Sequence, residues 1–311
     1  MVFIVMHHVI NSVIAPNFSL HAWACVDVIL HTAVIVFVLI SGYFGIKFSW
    51  KRFFSLLLQV IFYSLLLQLV VGLIKGNVNL WVIPLAFFPF NNNYYWFVET
   101  YLQLYLLAFI LNKLNDHCSD KEFFSVLGVL AFFVFYMGFL WKNEICSDGK
   151  NIVNFVMIYE LGYGLNRFPS FYKGKSRMVF FLTVTLLIII GLCYFIPDDN
   201  NLFVHTIAFL YKYNSPFLIL LSVLIFILFL NMHLKSGWIN YLAASSFSIY
   251  LVHEHPLFRE IVYVKPFKEL MQLGYDDFSL LCIVFIFAVL LSIICMISDK
   301  IRIFLFSFIF K

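Results

Sequence analysis

Four groups of residues in this chain have the types that chemistry needs. The first is His7 and His8, inside the apolar run MVFIVMHHVINSVI (Met1–Ile14), with no acid or base beside them in sequence. An ionisable ring at membrane depth is costly without a partner or a wet cavity, so the pair is a functional candidate. Imidazole suits acid–base work near neutral pH. Successive helical residues point about 100° apart, so only one of the two rings faces a given cavity well. The competing reading is a pair that simply sits at the membrane interface.

The second group is acidic: Asp27, Glu99 and Glu160. A buried carboxylate must be paired or protonated. One of the three is a candidate to orient a catalytic imidazole, as a triad acid does; hydrogen bonding between helices is the alternative. The third group, His253-Glu254-His255-Pro256, has metal-ligand residue types. His253 and His255 are two apart, however, and diverge on a helix, and the H-E-x-x-H spacing is absent. No metal is expected. The fourth is Lys51 and Arg52, with Lys47 nearby. They suit the phosphates of a nucleotide-containing donor such as coenzyme A, although membrane topology alone also places charge at such a position.

The elements that must position these residues follow from composition. The 311 residues are 63% hydrophobic and 12% charged, with a mean hydropathy of +0.97. A soluble domain carries roughly 25% charged residues, so this chain has too little polar surface for water. The expected fold is all-α: a polytopic integral membrane helical bundle of about ten transmembrane spans in a single domain. The spans fall at roughly 1–15, 25–46, 53–74, 95–112, 123–141, 151–166, 178–196, 215–234, 239–256 and 278–306. The first is short, since about 20 apolar residues are needed to cross. Leu202–Tyr211 is shorter still and reads as re-entrant or interfacial.

With the amino end inside, 13 of the 20 basic residues fall in inner loops and 7 in outer ones, which places both termini in the cytoplasm. The modest net charge of +4 is spread over short loops, so nucleic acid is excluded as a partner and membrane lipid is not. The six cysteines lack C-x-x-C spacing and read as small packing residues. No signal peptide is visible. No repeat supports an inverted-repeat transporter. Two outer loops stand out as possible acceptor contacts: the aromatic, asparagine-rich 75–94, and 257–277, which can hold a short amphipathic helix.

Four blocks of sequence, in order, carry a resemblance. They are IVMHH (Ile4–His8), VFVLISGYF (Val36–Phe44), YWFVETYLQLYLLAFILN (Tyr95–Asn112) and WINYLAASSFSIYLVHEHPLFR (Trp238–Arg259). The set resembles the membrane-bound acyltransferase-3 family, which O-acylates bacterial cell-surface polysaccharides and related glycans. The resemblance implies an O-acyltransferase of the bacterial inner membrane, with acetyl-CoA as acyl donor and a glycan or lipid-linked saccharide as acceptor. It points to His8 as catalytic group, with His7 and Glu99 as further catalytic candidates. Lys51 and Arg52 would bind the donor, and Ser41, Tyr43, Trp96 and His253 would contact substrate. The family's Arg-x10-His signature selects His8 over His7, but eleven positions before His8 lies ahead of Met1, so the true start is expected upstream. Arg52 is followed three residues later by Ser55, a departure from the family's Arg-x-x-Arg. The rival functions are a proton-coupled transporter, using the intramembrane His and Glu residues as a relay, and a truncated, non-catalytic family member.

Overall fold

The structure, a computed structural model, describes residues 1–14, 20–76, 95–144, 146, 148–196, 202–232 and 235–309. Loop positions 77–94 lie outside the described residues. Among the described residues the fold is all-helical, without a strand. Lipid offers no partner to backbone N–H and C=O groups, so an apolar chain of this kind satisfies them within helices.

The elements are α1 (Val2–Val9, continuing as a π-helix Ile10–Ile14), α2 (Leu20–Phe44), α3 (Trp50–Ile74), α4 (Trp96–His117) and α5 (Asp120–Ala131, continuing as a π-helix Phe132–Leu140). Then come α6 (Ile152–Arg167), α7 (Ser176–Leu192), α8 (Leu202–Tyr211), α9 (Pro216–Leu230), α10 (Gly237–Ala243) and α11 (Ser246–His253). The last are α12 (Pro256–Arg259, followed by a π-helix Glu260–Val264), α13 (Lys265–Met271) and α14 (Asp277–Ile309). The stretch 257–277 is therefore mostly helical, as its pattern predicts.

Five helices among the described residues are long and apolar enough to cross a membrane: Trp23–Phe44, Trp50–Ile74, Asp120–Leu140, Ser176–Phe195 and Asp277–Phe308. A sixth crossing exists if α8 and α9 count as one span broken by a 47° bend. The other expected spans are occupied by helices that are shorter or more polar. Val2–Ile14 is brief, α4 carries Glu99, Lys113 and Asp116, and the stretch 239–256 breaks between α10 and α11 at the Ser245–Ser246 pair, a recognised site of helix bending. Large apolar side chains face outward along the long helices, including Phe181, Phe229, Phe285 and Ile301. A surface so rich in exposed phenylalanine and isoleucine is suited to lipid, not water. The chain is a multi-pass membrane protein.

Two compact units make up the chain. One comprises 19–48 and 97–234. Here α2 packs along α6 and α9, and the α2–α6 crossing is set by two glycines. A Cβ on Gly42 would lie 2.0 Å from the Tyr159 carbonyl oxygen, and one on Gly162 would lie 2.3 Å from that of Leu39. Backbones this close require small residues. Just beyond α2, Gly45 takes a φ of 70°, the left-handed conformation that ends helices. The next residue, Ile46, has both backbone groups satisfied by side chains. Its N–H donates to Tyr159 Oη (3.0 Å) and its carbonyl accepts from Asn112 Nδ2 (2.8 Å), while Tyr159 Oη donates to Asn112 Oδ1 at 2.7 Å.

The other unit comprises 1–18, 49–96 and 235–311. Here α1 and α11 both pack on α14, and α3 packs on α11 and α12. Several polar groups inside it are paired. Tyr63 Oη donates to Asp299 Oδ1 at 2.7 Å, and Arg302 holds both oxygens of Asp299. Tyr95 Oη donates to the Leu251 carbonyl, which ties the residue before α4 to α11. This unit holds His7, His8 and the 253–255 cluster.

Candidate active site

The helical geometry of α1 separates its two histidines. His7 is buried, with Asn11 Nδ2 3.2 Å from its ring nitrogens one turn later. His8 points elsewhere, toward the end of α11. Its Nδ1 lies 2.8 Å from His253 Nε2 and 2.5 Å from Glu254 Oε2. The contact spans 245 positions of sequence and depends on α1, α11 and α14 packing together.

Each partner is itself held. His253 is fully buried, and its Nδ1 lies 2.5 Å from the Ile249 carbonyl oxygen one turn earlier. A carbonyl only accepts, so Nδ1 carries the proton and Nε2 presents a lone pair to His8. Glu254 is the residue at which α11 ends, and Pro256 opens α12 two positions later. The HEHP sequence is thus a helix end followed at once by a helix start. Arg259, on the last turn of α12, donates to Glu254 Oε1 at 3.3 Å and holds the other carboxylate oxygen. Glu254 Oε2 is buried and makes no directed hydrogen bond.

One imidazole nitrogen therefore faces two electron-pair donors. With its proton on Nδ1, His8 serves His253 and lies against the Glu254 charge, and its Nε2 keeps a lone pair with no hydrogen-bond partner among the described residues. This is the arrangement by which a triad acid holds an imidazole in the tautomer that accepts a proton at its far nitrogen. The side chains of His8 and Glu254 are both partly buried, 18% and 13% exposed.

The acid beside His8 is thus Glu254, the central residue of a cluster that the sequence presented as a metal-ligand candidate. Of the three acids singled out by sequence, Glu160 is buried and accepts from Asn115 Nδ2 at 2.8 Å. Glu99 is partly exposed in the first turn of α4, and Asp27 is buried on α2; all three belong to the other unit. The metal argument based on spacing also changes. His255 is buried with no partner for its Nδ1 among the described residues, and the third potential ligand is His8. Its Nδ1, His253 Nε2 and Glu254 Oε2 all lie within 4.8 Å of one another. Two ligands from one helix end and a third from a distant helix leave no sequence spacing to read.

Lys51 and Arg52 are exposed in the first turn of α3, in the same unit as His8. Trp96 is the half-buried first residue of α4. Ser41 and Tyr43 flank Gly42 in the other unit. Ser41 Oγ lies 3.1 Å from the Phe37 carbonyl and 3.2 Å from Tyr101 Oη, and Tyr43 Oη lies 3.3 Å from Tyr172 Oη. Within that unit, the Ser-Gly-Tyr motif packs helices and ends one.

No curated protein and no solved structure matches the chain. A family model does, and it covers nearly the whole length: the one described as "Acyltransferase domain", of the acyltransferase-3 type, matches residues 1–297. It includes α1, the whole of α11 and the Glu254 turn, and most of α14. By that match the protein belongs to the acyltransferase-3 family.

Proposed function

We propose that this acyltransferase moves an acyl group, acetyl in the first instance, from acyl-CoA to a hydroxyl of a cell-surface polysaccharide or its lipid-linked precursor. His8 is the base. The observation that carries the reading is the contact of His8 Nδ1 with Glu254 Oε2 and His253 Nε2, which leaves Nε2 as the proton acceptor. The acceptor hydroxyl gives its proton to Nε2 as its oxygen attacks the thioester carbonyl. The tetrahedral intermediate then expels the coenzyme A thiolate, which takes that proton back from His8. Glu254 stabilises the imidazolium between the two transfers.

Lys51 and Arg52 are proposed to bind the donor phosphates. They lie where helical N–H groups point outward at the positive end of the α3 dipole, a favourable place for an anion. In this reading the shorter helices complete about ten crossings of a bacterial inner membrane, with both termini cytoplasmic, so that the donor arrives from inside. The test is transfer of label from radiolabelled acetyl-CoA to envelope glycans in membranes carrying the protein. Label that disappears with His8→Ala at equal protein level supports the reading. Label that persists in His8→Ala removes His8 from the chemistry, and no label with the wild type refutes the acetyl donor.

A further inference from the structure

We propose that His8, His253 and Glu254 form a three-ligand site for a divalent ion of the zinc class, and that filling it removes His8 from service as a base. The second half rests on the function proposed above; the first does not.

The argument begins from an imbalance. Three Lewis-basic atoms converge: His8 Nδ1, His253 Nε2 and Glu254 Oε2. Only one proton, on His8 Nδ1, is available to them, because His253 Nδ1 commits its own proton to the Ile249 carbonyl. That single proton leaves the buried Oε2 without a directed hydrogen bond. A cation in place of the proton satisfies all three atoms together.

Geometry and chemistry narrow the cation. The three edges are 2.5, 2.8 and 3.9 Å. They straddle the edge of about 3.4 Å expected for a tetrahedron with zinc–ligand bonds of about 2.1 Å, so modest side-chain shifts suffice. Two imidazoles and one carboxylate favour zinc or a neighbouring transition metal over magnesium or calcium, which prefer oxygen. The supporting contacts are also those of a metal site: His253 is held through its other nitrogen by a carbonyl, and Glu254 through its other oxygen by Arg259. Three protein ligands leave a fourth position open to water.

The consequence for His8 is a change of tautomer. The ion takes the lone pair on Nδ1, and the imidazole proton then resides on Nε2. No proton is gained or lost, but the nitrogen that accepted the acceptor's proton has become a donor. Zinc therefore acts as a reversible inhibitor, holding the ring in the tautomer whose Nε2 carries the proton.

The experiment uses full-length protein purified in detergent, stripped with EDTA, exposed to Zn2+ and desalted, with bound metal measured by mass spectrometry. One zinc per chain is expected for the wild type and for His205→Gln, a histidine outside the site. At least a tenfold loss is expected for Glu254→Gln and for His253→Gln, each shown by size-exclusion chromatography to be folded. Cobalt should give the visible absorption of a four-coordinate ion in the wild type and lose it in Glu254→Gln. No zinc on the wild type, or equal zinc on all four proteins, overturns the site. In parallel, acetyl transfer should fall as Zn2+ is added and return with EDTA. Transfer that is indifferent to bound zinc, or that collapses on chelation, overturns the inhibitory half. Bound zinc with no transfer in any condition upholds the metal site and refutes the acyl-transfer reading instead; full transfer without bound zinc does the reverse.

Discussion

Replacing Glu254 by Gln tests the centre of this account, because it removes a charge while nearly preserving shape. In the structure the carboxylate lies 2.5 Å from His8 Nδ1 and is sheltered from solvent. A close charge pair of this kind, partly sheltered, contributes about 1.5–3 kcal/mol, the lower part of the range measured for such pairs. If the imidazolium is stabilised by that amount only while it carries the acceptor's proton, its loss slows transfer about 10- to 150-fold. His253 still faces Nδ1 at 2.8 Å and keeps the ring in place, which argues for this range over the roughly 10⁴-fold loss seen when a triad acid becomes an amide and the tautomer reverses. The expected result is a lower kcat at an unchanged KM for acyl-CoA, measured in detergent-solubilised membranes with protein quantified by immunoblot. Glu254→Asp keeps the charge but shortens its reach, and should fall between the two. A wild-type kcat for Glu254→Gln would show that this carboxylate is not tied to the base, and the triad reading would fail.

Three further outcomes follow from the packing and the charge distribution. Gly162→Ala places a Cβ 2.3 Å from the Leu39 carbonyl, and backbone on both sides cannot yield as a flexible side chain would; a loss of about 1–3 kcal/mol or more is expected, read as a lower melting temperature in detergent. Asn112→Leu strips Ile46 of its carbonyl's donor and Tyr159 of its acceptor, which should cost about 1–3 kcal/mol for the buried groups left unsatisfied and show in the same melting assay. Lys51→Ala with Arg52→Ala should raise the KM for acyl-CoA severalfold with kcat little changed, and the difference from wild type should shrink as salt screens the exposed charges; an unchanged KM at low salt would remove them from the donor site.

How much of this was legible without coordinates depends on the range of the interaction. Hydropathy alone determines that the chain is helical and membrane-embedded, because continuous apolar runs of this length satisfy their backbones as helices, whereas barrel strands are shorter and alternate. The long spans are read within a few residues: 53–74 is occupied by Trp50–Ile74 and 278–306 by Asp277–Ile309. The divergence of His7 and His8 is equally local, a consequence of helical pitch. The break at Ser245, by contrast, interrupts a run that is apolar on both sides, so hydropathy cannot show it.

That Glu254 lies beside His8 was not legible. Glu99 and Glu160 draw attention because they stand in apolar runs, whereas Glu254 stands between two histidines at the end of the 239–256 run and reads as part of a failed metal motif. What brings it to His8 is the packing of α1 and α11 against α14, together with a helix that ends at His253 and restarts at Pro256. Sequence fixes which side chains are able to hold a proton or an ion. Which of them share one is decided by tertiary structure, because the contact joins residues 245 positions apart, and no periodicity or spacing carries information over that distance.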